Sequence, residues 1–236
     1  MKNINKKALV IDSSGIHPLL FAIGEKDIKS NKLDSFLSNL DTDCYLSNQA
    51  RHEFSMLNYA SGISLFAEPI NLGTQNYDAV YLSDAGYFSA TADTDFGLKL
   101  SASNLATTEI NQPTLWETSN QWKGLSIEDR SVIKTARGFV PQYSSVAILT
   151  NDWDLRQQST LFEGIEVRGT CSMLAGLVLG DYISYQQGTY IFGKWLTREP
   201  RWIPTFYPER RKFTFREVLN SERKRQSEKK SFWSSS

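Results

Sequence analysis

The strongest constraint on the fold of this chain is a short apolar run that ends in a carboxylate. Residues 8–11 read Ala-Leu-Val-Ile, Asp12 follows at once, and Ser13, Ser14 and Gly15 come next as a predicted turn. A run of four apolar residues bounded by turn-forming residues is typical of a strand that is buried on both faces, as in a parallel sheet. The run is too short for a secretory signal or a membrane span, so it predicts an internal strand.

Strands and helices are predicted to alternate along both ends of the 236-residue chain. Further short apolar runs predict strands at 44–47, 146–149 and 164–167. Apolar residues at helical spacing predict helices at 18–40 (with a polar break near 29–32), 48–59, 126–139, 153–163 and 170–179. This alternation favours an α/β fold with a mostly parallel sheet.

Two segments depart from this alternation. Residues 60–124 carry seven acidic residues and two lysines, and a weak alternation of apolar and polar residues there hints at β-structure. From residue 194 onward, 12 Lys and Arg against 5 Asp and Glu give a net charge of +7, which the rest of this neutral chain balances. The sequence therefore predicts a domain over 1–185 with an acidic insertion at about 60–124, and a basic, aromatic-rich C-terminal extension over 186–236.

The C-terminal extension interleaves cations with aromatic residues, which allows two interpretations. Cations can neutralise phosphates while aromatic rings stack on bases, so the extension is a candidate RNA-binding segment. The candidate contacts are Arg198, Arg201, Arg210, Arg211 and Lys212. Alternatively, Trp195, Trp202 and Phe206 pack back onto the domain and cover the acidic insertion.

The end of the extension carries one clear helix signal. Thr214 and Glu217 have the spacing of a capping box, which predicts a polar helix running to about residue 229. The final residues, 231–236, read Ser-Phe-Trp-Ser-Ser-Ser and are expected to be disordered.

Four carboxylates fall where the predicted topology brings them together. Asp12 ends the first strand and Asp152 follows the strand at 146–149, and the carboxyl ends of parallel strands share one edge of a sheet. Glu53 and Asp129 lie in predicted helices that could face the same edge. Two unit charges about 5 Å apart repel by roughly 3 kcal/mol at an effective dielectric near 20, so such a cluster predicts a bound cation. Solvation or helix capping is the commoner role for any one carboxylate; the conjunction of four indicates a site.

Other chemistries are excluded or disfavoured by the composition. The two cysteines, Cys44 and Cys171, make no disulfide framework, and with only His17 and His52 they make no zinc site of typical spacing. This cysteine usage favours a cytoplasmic protein. Glycine-rich phosphate loops are absent from the sequence. Ser14 stands where a haloacid-dehalogenase-type phosphatase needs a second Asp. Both histidines are interpreted as packing or surface residues.

Four segments carry a resemblance to a known family. They are residues 10–14 with their Asp and hydroxyl residues, 44–53 with Glu53, 129–136 with Asp129, and 150–169 with the Thr-Asn-Asp sequence and the returning strand. In order and spacing these segments resemble the PIN-domain family, metal-dependent ribonucleases that include toxins of toxin–antitoxin pairs and RNA-processing enzymes. The match covers about 7–59 and 124–185, roughly half of the chain.

The resemblance implies a three-layer PIN-like fold and an endoribonuclease that cuts single strands or loops and leaves a 5′-phosphate and a 3′-hydroxyl. It implies four catalytic carboxylates, Asp12, Glu53, Asp129 and Asp152. It implies Mg²⁺ or Mn²⁺ as the cofactor, since oxygen ligands suit both ions, held by Asp12, Asp129 and Asp152 with Asp154 as an auxiliary. Ser13 or Thr150 would hydrogen-bond the site.

The expected partner is RNA, with no membrane. A protein partner, an antitoxin-like inhibitor and a homo-oligomer are left open. One alternative is a PIN-like scaffold without catalysis, and another is an RNA-binding subunit that acts through the C-terminal extension.

Overall fold

The computed structural model describes residues 3–47, 79–82, 125–159, 163–206, 211–228 and 230–234. The strands are β1 (Asn3–Ile11), β2 (Thr42–Ser47), β3 (Ala79–Leu82), β4 (Tyr143–Leu149), β5 (Ile165–Arg168), β6 (Thr205–Phe206) and β7 (Arg211–Lys212). The helices are α1 (Ser13–Gly24), α2 (Ser30–Asn39), α3 (Ile127–Phe139), α4 (Trp153–Ser159), α5 (Thr170–Leu179), α6 (Tyr185–Arg198), the 3-10 helix Pro200–Trp202 and α7 (Phe215–Ser227).

The fold is α/β, with a five-stranded sheet in the order β3-β2-β1-β4-β5. The strands β2, β1, β4 and β5 are parallel, and β3 is antiparallel to β2. The prediction of a mostly parallel sheet is therefore confirmed. At its end, Ile11 of β1 pairs with Leu46 of β2 on one side and with Leu149 of β4 on the other. Asp12 and Thr150, the next residues along the chain, consequently emerge at the same edge.

The apolar runs that predicted strands form the centre of the core. Residues 8–11 of β1 and 146–149 of β4 are all buried, as expected for strands covered on both faces. The helix α3 packs against β1, β2 and β4, and α5 packs against α1, α6 and α7. Among the described residues, no helix is both long and apolar enough to cross a membrane.

Most predicted elements that fall on described residues are confirmed. The helix α3 begins after the cap Ser126, and α5 spans Thr170–Leu179 as predicted. The prediction of a turn at 13–15 is wrong, because α1 begins at Ser13 directly after β1. The Asp12 carboxylate accepts a hydrogen bond from the Ser14 main-chain N–H at 3.3 Å, which supports an immediate helix start. The predicted helix at 48–59 and the segment 60–124, apart from β3, lie outside the described residues.

The C-terminal extension contributes side chains to the same core as the sheet. Trp195 of α6 is fully buried, and α7 begins with the predicted capping box of Thr214 and Glu217. The predicted disorder is wrong for residues 231–234, since Phe232 and Trp233 are 1% and 2% exposed.

Polar contacts with β1 and α5 hold this final segment in place. The Lys7 ammonium donates to the carbonyl oxygens of Phe232 and Ser234 at 2.9 and 2.5 Å. The Trp233 indole N–H donates to Ser172 Oγ at 2.9 Å. Burial removes water from the Lys7 ammonium and lowers its pKa. The two carbonyl oxygens replace part of that lost hydration.

Close contact between α1 and β4 depends on a glycine. A Cβ added to Gly15 would stand 2.1 Å from the Leu149 carbonyl oxygen, which is main chain and has little room to move. We expect Gly15→Ala to lower the free energy of unfolding by about 2 kcal/mol or more, as overpacking does. Equilibrium unfolding in urea measures this difference.

Gly193 is the matched control for that substitution. It lies inside α6, and an added Cβ would meet no atom within 4 Å. Gly193→Ala should raise stability by about 0.5–1 kcal/mol, because Ala is the better helix former. Equal effects of the two substitutions would contradict the proposed contact between α1 and β4.

Candidate active site at the carboxyl edge of the sheet

The centre of the candidate site is Asp12, at the end of the central strand. Its carboxylate is buried, and the oxygen Oδ2 accepts hydrogen bonds from the Ser14 hydroxyl and from Thr150 Oγ1, the latter at 2.7 Å. The two hydroxyls are themselves 3.0 Å apart. Because a buried carboxylate without donors is costly to desolvate, these bonds explain how Asp12 is tolerated there. They also join the ends of β1 and β4.

Ser14 connects Asp12 to the loop after β4. Its hydroxyl oxygen accepts hydrogen bonds from the main-chain N–H groups of Asn151 and Asp152, at 2.9 and 3.0 Å. The Asp152 N–H also contacts Thr150 Oγ1 at 3.0 Å. The main chain of Asp152 is therefore separated from the Asp12 carboxylate by a single hydroxyl group.

The side chain of Asn151 fixes three chain segments at once. Its amide donates to the Ser14 carbonyl at 3.0 Å and to Thr170 Oγ1 at 2.8 Å, and its oxygen accepts from the Thr170 N–H at 3.1 Å. Pro18 lies four residues after Ser14 inside α1 and has no N–H, so it cannot bond the Ser14 carbonyl itself. Asn151 thus supplies the hydrogen bond that Pro18 cannot donate to the Ser14 carbonyl, and it accepts one from the first N–H of α5.

The carboxylate of Asp152 caps the next helix. Its oxygen Oδ1 accepts from the N–H groups of Asp154 and Leu155 at 2.7 and 3.0 Å, which are first-turn groups of α4. Among the described residues, both donors to this carboxylate bind that one oxygen. Asp152 and Asp154 are exposed. Asp12 and Asp152 therefore lie together at this edge, one buried and one facing solvent, and Asp154 lies on the first turn of α4.

Asp129 makes a capping box at the start of α3. Its carboxylate accepts from the Ser126 N–H, and Ser126 Oγ accepts from the Asp129 N–H, both at 3.1 Å. Because α3 packs on the sheet and leads directly into β4, this turn points towards the carboxyl edge. Within the described ranges, no three His, Cys, Asp or Glu side chains lie close enough to hold a metal, so Asp129 does not join Asp12 and Asp152 in such a group. Glu53 lies outside the described residues, and the four-carboxylate cluster stays a prediction.

The two predicted hydroxyl residues of the site are both buried. Thr150 is fully buried and makes its hydrogen bond to Asp12, while Ser13 is 4% exposed in the first turn of α1. The second hydroxyl on Asp12 comes from Ser14. The hydroxyls of Thr150 and Ser14 thus hold the Asp12 carboxylate from the interior of the protein.

Most cations of the C-terminal extension are engaged within the chain. Arg201 pairs with Glu199 at 2.9 and 3.0 Å, and Arg211 pairs with Glu217 at 2.9 and 2.6 Å. Chiefly because of these arginines, the pKa of each glutamate falls to about 2. The Lys212 ammonium donates to the Ile203 carbonyl at 2.9 Å.

Arg198 and the aromatic residues of the extension also make internal contacts. The Arg198 guanidinium lies 5.7 Å from the ring centre of Phe21, and the Trp202 ring lies 5.9 Å from that of His17. Trp195 is buried in the core. Packing onto the domain is therefore observed for Trp195 and Trp202, whereas Arg210 and the Phe206 side chain lie outside what the structure describes.

Three residues of this edge were not singled out from the sequence as site residues, namely Ser14, Asn151 and Arg156. A signal existed for two of them. Ser14 stands two residues after Asp12, where a hydroxyl can return to the carboxylate, and Pro18 marks its carbonyl as free of a helical partner. Asn151 stood inside the Thr-Asn-Asp segment, but its contacts with α1 and α5 involve residues 137 and 19 positions away.

Removal of the Asn151 side chain tests whether it joins these segments. Asn151→Ala leaves the Ser14 carbonyl and the Thr170 N–H without this partner, and we expect a loss of about 1–3 kcal/mol in unfolding free energy. Hydrogen exchange of the Thr170 amide should accelerate. The control Asn220→Ala, at an exposed position in α7, should change stability by less than about 0.5 kcal/mol. Equal losses in both variants would contradict the role of Asn151.

Comparison of the chain with protein-family models, with curated proteins and with solved structures finds no match in any of the three. The functional conclusion therefore rests on the sequence motifs and on the geometry of the strand ends.

Proposed function

We propose that the protein is a metal-dependent endoribonuclease of the PIN type, which hydrolyses RNA phosphodiester bonds at the carboxyl edge of the sheet. The observation that carries the proposal is the pair of strand-end aspartates, Asp12 and Asp152, joined through the hydroxyls of Ser14 and Thr150. Ligands and catalytic groups of open parallel sheets gather at this edge. The strand order with β1 at the centre supports the same proposal.

The donor chemistry of the two aspartates fits Mg²⁺ or Mn²⁺. Carboxylate oxygens suit these hard cations, and Mg²⁺ commonly binds one or two carboxylates while keeping several waters and taking up substrate phosphates. Asp12 and Asp152 would hold the ion, with Glu53 as a further proposed ligand. Asp129 and Asp154 would contribute through bound water, since they form no group of three with that pair among the described residues. A bound ion would neutralise charge on the phosphate and make an attacking water more acidic.

The surrounding residues hold the two carboxylates in position. The hydroxyls of Ser14 and Thr150 fix the rotation of Asp12, whose burial shields it from bulk water. The α4 cap fixes the side chain of Asp152 through Oδ1, and no described group donates a hydrogen bond to its other oxygen. Such preorganisation is what positioned catalytic groups require.

A large exposed aromatic residue stands beside this pair. Trp153 follows Asp152 directly and is 57% exposed. An exposed indole can stack on an unpaired base, which is worth about 1–3 kcal/mol in single-strand binding. Its place supports a single-stranded or looped RNA as the substrate.

Cleavage of labelled single-stranded RNA in the presence of Mn²⁺ tests the activity. We expect Asp12→Asn to lower the cleavage rate by about 100-fold or more, because it removes the charge of a proposed metal ligand. Asp181→Asn is the matched control, since Asp181 is an exposed aspartate with φ 61°, a conformation that Asn also accepts. Equal rates in both variants would refute the proposal, as would cleavage that persists in EDTA.

Thermal unfolding with and without Mn²⁺ tests the metal site separately from activity. Ions that bind only the folded protein should raise the Tm of the parent, by mass action. In Asp152→Asn the amide oxygen can still cap α4, so the metal-free variant should stay within about 0.5 kcal/mol of the parent, while its gain from Mn²⁺ should be much smaller. A parent whose Tm ignores millimolar Mn²⁺ would favour the scaffold without catalysis.

A further inference from the structure

Arg156 is a half-buried cation beside the candidate site. It lies one helical turn after Asp152 in α4, and its main-chain N–H donates to the Asp152 carbonyl at 3.1 Å. A Cβ built on Gly169 would stand 3.3 Å from Arg156 Nη1 and 3.2 Å from Asn151 Oδ1. The guanidinium and the Asn151 side chain therefore both border the place where Gly169 has no side chain, at the same edge of the sheet as Asp12.

The charged groups that face Arg156 are cations. Burial lowers the pKa of Arg156 most, and repulsion from Arg225 and Arg168 lowers it further. These two arginines have carboxylates of their own, because Arg168 pairs with Glu166 and Arg225 lies 3.9 Å from Glu222. Among the described residues, no carboxylate pairs with Arg156.

Two further described groups of this region, Cys171 and Lys212, add no negative charge. Burial raises the pKa of the Cys171 thiol to about 12, so this group is neutral at pH 7. The Lys212 ammonium is close enough to oppose that rise, which adds another cation to the same region. Gly169 is the N-cap of α5, so the guanidinium also stands at the positive end of a helix dipole. A cation in this place is unfavourable unless an anion binds it.

We propose that Arg156 is the centre of a phosphate-binding subsite, and that its ligand is a backbone phosphate of the RNA strand, close to the bond that is cut. The inference rests on the proposed function for the identity of the nucleic acid. A guanidinium can donate two parallel hydrogen bonds to the oxygens of one phosphate, whereas a lysine ammonium acts as a single point charge. Arg225 is 44% exposed in its side chain and forms the solvent-facing rim of the same basic group.

Thermal unfolding at low ionic strength separates this role from a structural one. In buffer without phosphate, Arg156→Gln should unfold at the same temperature as the parent or at a higher one, because the repulsion from Arg168 and Arg225 is relieved. Inorganic phosphate should raise the Tm of the parent and of the control Arg223→Gln, an exposed cation of α7, but not that of Arg156→Gln. A lower Tm of Arg156→Gln with an unchanged response to phosphate would overturn the subsite.

A second arm identifies the source of the phosphate. In the Asp12→Asn background, which is not expected to cut, we expect Arg156→Gln to weaken binding of a single-stranded oligouridylate at least 10-fold and to lower the salt slope by about 0.7. Arg156→Lys keeps the positive charge and should lose less affinity for the oligouridylate. This variant also keeps the test possible if Arg156→Gln does not fold. Unchanged oligouridylate affinity beside an Arg156-dependent response to inorganic phosphate would overturn the RNA assignment. Arg156-dependent oligouridylate binding by a parent that never cleaves RNA would refute the proposed nuclease and leave the subsite standing.

Discussion

The bond network around the buried carboxylate of Asp12 is the interaction on which the rest of the edge depends. Two hydroxyls reach one carboxylate oxygen from different segments, so the ends of β1 and β4 and the start of α1 are held in one arrangement. Ser14 and Asn151 extend this arrangement to the loop before α4 and to the first residue of α5. Each of these hydrogen bonds satisfies a polar group and also holds a segment of backbone in place. The side chains on those segments form the candidate site.

Charge is distributed unevenly around this edge. Carboxylates stand at the ends of β1 and β4, while Arg156, Arg168 and Arg225 gather around the start of α5. Arg168 and Arg225 each have a glutamate partner. Arg201 and Arg211 of the C-terminal extension are paired with glutamates in the same way. The net charge of +7 after residue 193 therefore says less about RNA binding than Arg156, which pairs with no carboxylate among the described residues.

Local patterns were sufficient to predict the sheet and most described helices. The apolar runs of β1 and β4 stand out because both faces of each strand are buried, and Ser126 and Thr214 mark the starts of α3 and α7 by capping chemistry that needs only three residues. The position of Asp12 could be predicted for the same reason, since it follows directly from the end of a strand.

Apart from the shared sheet edge of Asp12 and Asp152, side-chain contacts between distant segments could not be predicted. The role of Asn151 depends on Ser14 and Thr170, and the surroundings of Arg156 depend on Arg225, 69 positions away. Phe232 and Trp233 carry no periodic pattern, because they belong to no helix or strand, and their burial depends on Lys7 and Ser172. The convergence of Glu53 with the other carboxylates lies outside the described residues, as do Arg210 and most of the acidic insertion.

The contact between Lys7 and the carbonyl of Phe232 joins residues 225 positions apart, and it therefore closes almost the whole chain into a ring. Closing so long a loop is entropically costly, so we expect this contact to form late in folding, after the sheet and helices. Interactions that form late add to the barrier against unfolding rather than to the rate of folding. We therefore expect the docked segment 230–234 to slow unfolding more than it speeds folding, and so to prolong the lifetime of the folded protein.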